Sequence, residues 1–404
     1  MSTTESGVAA LDLVDPATFV EHDPHAFWRV VRECQPVYWH ETATRRPGFW
    51  VVAGYHDVAS LYNNVTELSS ARGTVLDVLL HGDDTAGGKM LAVTDRPRHR
   101  PLRGIMARAF APRALEQVAL RVHQRTTRLI SEMADRASFD FATEVAESIP
   151  MNTVCDLLSI PDCDRGALLR WSKLALSADS VDSDGLDALE ARNEIVCYFM
   201  DLAQERRAMP GDDVVSALAT ARIDGAPLAL EDVALNCYSV ILGGDESSRM
   251  SAICAVKALA EHPAQWAALR AGKVGTATAV EEILRWATPA MHFARTARHD
   301  LVVGGKRIRA GDIVTLWNIS ANNDEAAFVA PRTFDLSRSP NKHVAFGRGP
   351  HFCVGAFLGR TELRALLTAL VAEVADLELC GAPARIYSNF LYGYRSLPVT
   401  FRPR

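Results

Sequence analysis

The sequence predicts a mainly α fold with a smaller β-rich part. Three observations carry that expectation. Apolar residues recur at helical spacing through most of residues 96–222. An unusually long helical candidate covers about 231–262, with Pro263 as its natural stop. Short apolar runs bounded by turn residues near the N-terminus and around residue 300 read as strands.

In order, Val37–His40 and residues 49–53 are strand-like, and 57–63 follows with a helical pattern. Residues 102–110, 115–134 and 188–207 carry the clearest helical periodicity of the middle. Leu301–Val303 and Lys306–Ile308 flank Gly304-Gly305 as a hairpin, and Ile313–Trp317 adds a strand. No Ser/Gly- or Pro-rich linker interrupts the 404 residues, so one domain over 1–404 is expected, with roughly the first ten residues disordered. A hydrophobic content of 48% supplies a large core. The net charge of -6 argues against a nucleic-acid binder, and no apolar run is long enough for a membrane span. Eight scattered cysteines without a CxxC pair fit a reduced, cytoplasmic setting, and a monomer is expected.

The chemistry concentrates at Phe346-Gly347-Arg348-Gly349-Pro350-His351-Phe352-Cys353-Val354-Gly355. Gly347 and Gly349 can adopt positive φ, so the backbone can fold around the sulfur and aim amide N–H groups at it. Leu358, Leu363, Leu366, Leu367, Leu370, Val371 and Val374 then recur at helical spacing, which puts the cysteine just ahead of a helix N-terminus that favours negative charge. A thiolate held this way can ligate haem iron. The alternative is an ordinary buried cysteine.

This decapeptide resembles the haem-binding signature of the cytochromes P450, with all its fixed places filled. Further similarities follow. Gly243-Gly244-Asp245-Glu246-Ser247 resembles the distal-helix pattern, in which the glycines open space at the iron and Glu246 and Ser247 deliver protons. Serine stands where the family usually has threonine, losing the methyl that fixes χ1; Ser248 is a substitute candidate, and Arg249 could pair with Asp245 or Glu246. The residues alone are equally compatible with a close helix crossing at the two glycines. Glu282 and Arg285 resemble the family's buried ExxR pair, completed by a segment ending in Arg338, although the bare i,i+3 spacing also describes a surface ion pair. Asn323 and Glu325 stand where arginine and proline are common, a change expected to alter one turn. His99, Arg103, Arg295 and His351 resemble the cations that meet the haem propionates.

The resemblance implies the family's triangular fold, with haem b (iron protoporphyrin IX) between the long central helix and the helix after the cysteine loop. It implies a haem-thiolate monooxygenase that takes dioxygen, hydroxylating or epoxidising a medium-sized hydrophobic molecule, expected to be a secondary metabolite. Leu79, Val240, Ala290, Met291, Phe293, Leu391 and Tyr392 are the pocket candidates, with Thr85, Asn236 and Tyr238 as further polar groups, within variable segments that include 169–187. Electrons would come from a separate ferredoxin and ferredoxin reductase. Arg98, Arg100, Arg103, Arg108, Arg113, Arg348 and Arg360 could form the docking patch, or an ordinary solvated face. Rival functions are a fatty-acid or steroid hydroxylase, a peroxide-driven peroxygenase, a nitric-oxide reductase and a non-catalytic haem module that recruits another enzyme.

Overall fold

The computed structural model describes residues 11–42, 47–176 and 185–404. The expectation for the first ten residues, and much of the variable segment 169–187, therefore lie outside the described residues.

Asp15 and Asp23 accept backbone N–H bonds at the starts of the helices Pro16–Glu21 and Pro24–Cys34, each with proline at the first helical position. The chain then enters a five-stranded sheet ordered Val37–His40, Phe49–Val52, Ile313–Trp317, His292–Ala297, Leu68–Ser69. Ile313–Trp317 is buried along its whole length because it lies between two neighbours, parallel to Phe49–Val52 and antiparallel to His292–Ala297. The expected hairpin forms between Leu301–Val303 and Lys306–Ile308.

The helical part holds two apolar clusters. In one, His99–Ala109, Ser148–Leu157, Gly185–Ala208 and Leu230–Gly244 pack through Leu102, Val154, Phe199 and Ile241. In the other, Glu246–Glu261, Thr276–Ala287 and Ala356–Glu373 pack through Ile253, Ile283, Leu366 and Leu370. Leu358 and Ala365 belong to the first cluster, so the Ala356–Glu373 helix spans both.

Two expectations need correction. The long helix is not continuous: Leu230–Gly244 and Glu246–Glu261 are separated at Asp245, whose ψ of -78 departs from helical values. The interruption falls where the chain passes from one apolar cluster to the other. Val374 does not continue the C-terminal helix but begins the strand Val374–Leu379, which pairs with Pro398–Pro403. Among the described residues, no helix is long and apolar enough to cross a membrane.

Candidate active site

The cysteine loop is built from positive-φ turns. Gly347 (φ 64) and Gly349 (φ 68) both occupy the left-handed region. A Cβ on Gly349 would lie 2.8 Å from the Tyr62 carbonyl oxygen, so glycine is also needed for the loop's close approach to Tyr62 and Asn63. The Cys353 N–H donates to the Phe346 carbonyl at 2.9 Å, closing the loop. Burial pushes the Cys353 thiol up; the Gly355 N–H, which bonds the sulfur, and the charges of Arg103 and Arg360 oppose that push and favour the thiolate.

Behind the loop, Glu282 and Arg285 are fully buried and joined by two 2.8 Å hydrogen bonds. Arg285 Nη1 also donates to the carbonyls of Asn322 and Pro331, each at 2.9 Å. Glu282 accepts from Arg338 Nε and Asn341 Nδ2 at 3.0 Å and from the Asp335 N–H at 3.1 Å. Five donors on one carboxylate explain how a desolvated ion pair is tolerated here. This is a buried brace, not a surface pair. Asn323 and Glu325 do more than alter a turn: Asn323 Oδ1 accepts from Arg332 at 3.1 Å, and Glu325 pairs with Arg32 of the N-terminal helix at 3.0 Å.

At the helix interruption, Glu246 pairs with Arg249 at 2.8 Å, which settles the partner left open by the sequence. Ser247 Oγ donates to the Gly243 carbonyl at 3.0 Å, bridging the break. The Ser248 hydroxyl lies instead in hydrogen-bonding contact with Glu362, a buried acid that burial pushes up to about 7. Asp245 is likewise pushed up to about 7, by burial first and then by the charge of Glu246. Glu362 did not stand out in the sequence, because its partners Ser248 and Thr153 lie on helices distant along the chain.

The cations also converge. His99 and His351 stack with ring centroids 4.2 Å apart, and burial, Arg295, His99 and Arg103 together push His351 down to about 3. Arg295 is buried, donates to the Ala294 carbonyl at 2.7 Å and lies 5.7 Å from the centre of the Tyr62 ring.

The family pattern described as Cytochrome P450 matches residues 276–374, which include the brace and the cysteine loop. Cytochrome P450 NovI of Streptomyces niveus is 40% identical over 398 residues, covering 98% of each chain. The chain belongs to the cytochrome P450 family. Steroid C26-monooxygenase of Mycobacterium tuberculosis is 32% identical, covering 97% of this P450 and 93% of that protein. The crystal structure of P450 OxyD, involved in the biosynthesis of vancomycin-type antibiotics, superposes with a TM-score of 0.89 at 34% identity, covering 98% of this chain and 100% of that one. The protein is thus a P450 monooxygenase with the predicted mainly helical fold, and its family is one of haem-iron enzymes.

The residues present in this P450 fit that cofactor. Burial and the charges of Arg103 and Arg295 hold the His99 and His351 imidazoles against protonation despite Asp95 nearby, so the cluster has room for further negative charge, and buried His99 Nε2 has no hydrogen-bond partner. Two propionates would meet both needs. A Cβ on Gly243 would meet nothing within 4 Å, leaving room beside the Glu246–Ser247 pair.

The pocket candidates of the P450 are dispersed among different surroundings. Ala290 and Leu391 form a β-bridge, and the Phe293 ring meets Phe390 edge-on at 5.6 Å. Val240 packs in the first helical cluster. Leu79 and Met291 are buried in a cluster with Trp28 and Trp317, and Tyr392 bonds Arg385 and abuts His25. Asn236 is committed to structure: it donates to the Lys89 and Asp232 carbonyls and accepts from the Leu91 N–H. Arg192 lies over the Tyr238 ring, and Thr85 is exposed.

Proposed function

We propose that this P450 hydroxylates or epoxidises a medium-sized hydrophobic secondary metabolite, using haem b ligated by Cys353. The observation that carries the reading is the glycine-caged thiol bonded by the Gly355 N–H within the field of Arg103. Haem iron bound to a thiolate supplies dioxygen activation and cleavage of unactivated C–H bonds. His99, Arg103, Arg295 and His351 hold the propionates. Gly355 N–H favours the ionised sulfur against the push of burial, while the Glu282–Arg285–Arg338 brace keeps its loop in place. Ser247 Oγ would turn from the Gly243 carbonyl to give its proton to a ligand in the open space beside Gly243, and would regain a proton from solvent by way of Glu246. Gly243 leaves space for this exchange, while Gly244 lets the helix pass close to Val154.

Leu79, Val240, Ala290, Met291, Phe293, Leu391 and Tyr392 remain the proposed lining of the substrate site. The metabolite class is supported by the likeness to OxyD, which is involved in the biosynthesis of vancomycin-type antibiotics. A steroid or fatty acid is the second reading, supported by the steroid C26-monooxygenase relative. A separate ferredoxin and ferredoxin reductase supply electrons, in a cytoplasmic setting consistent with eight free cysteines.

Binding is tested by titrating the purified protein with aromatic and polyketide metabolites, steroids and fatty acids while following the haem absorption band. Metabolites are expected to displace the iron's water ligand at the lowest concentrations. A shift with steroids alone would reverse the substrate class. A reduced carbon-monoxide adduct without the far-shifted band of sulfur ligation would remove Cys353 from its role.

A further inference from the structure

We propose that Glu281 and Arg360 form a charge pair that sets the reduction potential of the haem, with Glu281 a positioning residue acting through Arg360. The inference rests on the reading of Cys353 as the haem ligand.

The Thr276–Ala287 helix carries two adjacent carboxylates with separate tasks. Glu282 sits within the buried brace. Glu281 turns to the helix that follows the cysteine, where Arg360 Nε meets Oε1 at 2.6 Å and Nη2 meets Oε2 at 2.9 Å. Two parallel bonds of this kind fix a guanidinium in orientation as well as position. The Arg360 guanidinium carbon lies 4.6 Å from the centre of the Phe346 ring. Phe346 is the residue whose carbonyl accepts the Cys353 N–H. The cation is therefore stacked on the residue that closes the loop, and its field favours the thiolate.

His343 Nε2 approaches Glu281 Oε2 at 3.2 Å. Burial alone would raise the Glu281 carboxyl, but the bonds from Arg360 and His343 outweigh it and hold the group at about 2. Glu281 thus stays ionised at neutral pH and offsets the charge of Arg360. Both side chains are partly exposed, at 27% for Arg360 and 29% for Glu281, so solvent screens the pair in part. A cation beside the iron ligand stabilises the reduced, more electron-rich haem, and a neighbouring anion does the reverse.

The test is potentiometric titration of the haem-loaded protein and three variants. Glu281→Gln is expected to make the potential less negative, Arg360→Gln more negative, and the double variant is expected to shift less than either single change. Glu378→Gln, in an exposed pair with Arg402, serves as the control and should leave the potential unchanged. Opposite signs distinguish charge from mechanical loosening, which would move both single variants the same way. Shifts of the same sign, no shift, or loss of the sulfur-ligated carbon-monoxide band in the single variants would overturn the proposal and leave the pair a structural brace. A wild-type protein without that band would overturn the haem-thiolate reading, and the role of the pair with it.

Discussion

At Gly244 a Cβ would lie 2.7 Å from Val154 Cγ2, whereas at Gly243 it would meet nothing within 4 Å. Two explanations compatible with the sequence, a close helix crossing and an opened distal space, thus apply to neighbouring glycines. Gly244→Ala is expected to destabilise the fold by about 1–3 kcal/mol through overpacking, with recovery in a Val154→Ala background. Gly243→Ala should leave stability within about 0.5 kcal/mol or raise it slightly, because alanine favours helix. Denaturant unfolding of the wild type, the three single variants and the Gly244→Ala/Val154→Ala double variant checks this; equal losses at both glycines would contradict the packing difference. Next to them, Arg249 holds Glu246, and the Ser247 hydroxyl bridges the interruption.

The interruption at Asp245 joins two helices that belong to different apolar clusters, and the acids around it respond to that seam. Glu362 is buried on the Ala356–Glu373 helix beside the Ser248 and Thr153 hydroxyls, and its pKa rises from 4.5 to about 7. Thr153 already donates to the Ile149 carbonyl, so its oxygen can accept from a protonated Glu362. An acid raised on folding binds more protons in the native state. Its stabilising contribution is therefore complete below about pH 4.5 and is lost as pH rises through about 7. Asp245 contributes in the same direction. Glu362→Gln should flatten the fall in stability across that interval, measured as the denaturation midpoint at about pH 5 and about pH 8. An unchanged slope would show that Glu362 is already ionised in the native protein.

Across the whole molecule, tertiary packing divides the arginines that looked alike in the sequence. Arg98 pairs with Asp232, Arg360 pairs with Glu281, and Arg103 is drawn toward Cys353. Arg100, Arg108 and Arg113 remain exposed, and Arg348 is partly exposed beside Tyr55. These four are the better candidates for an acidic ferredoxin. Charge reversal at Arg108 and Arg113 together should slow ferredoxin-supported reduction about tenfold at low salt, while dithionite reduction is unchanged. Wild-type reduction should slow as salt rises, and a salt-independent rate would place docking elsewhere. The cysteine loop and the Glu282–Arg285 spacing were legible because each is local: a few consecutive residues specify the turn or the shared helix face. The hairpin at Gly304-Gly305 was legible for the same reason. Asn236 was not, since its partners Lys89 and Leu91 lie far away in the chain. The same holds for Glu281 with Arg360 and for Glu362 with Ser248. The sequence by itself determined the ligand loop, the helix that follows it and the family. Only the tertiary structure decided where the long helix breaks, which acids hold protons and which arginines face solvent, because burial and charge partners are assigned by segments that meet only when the chain has packed.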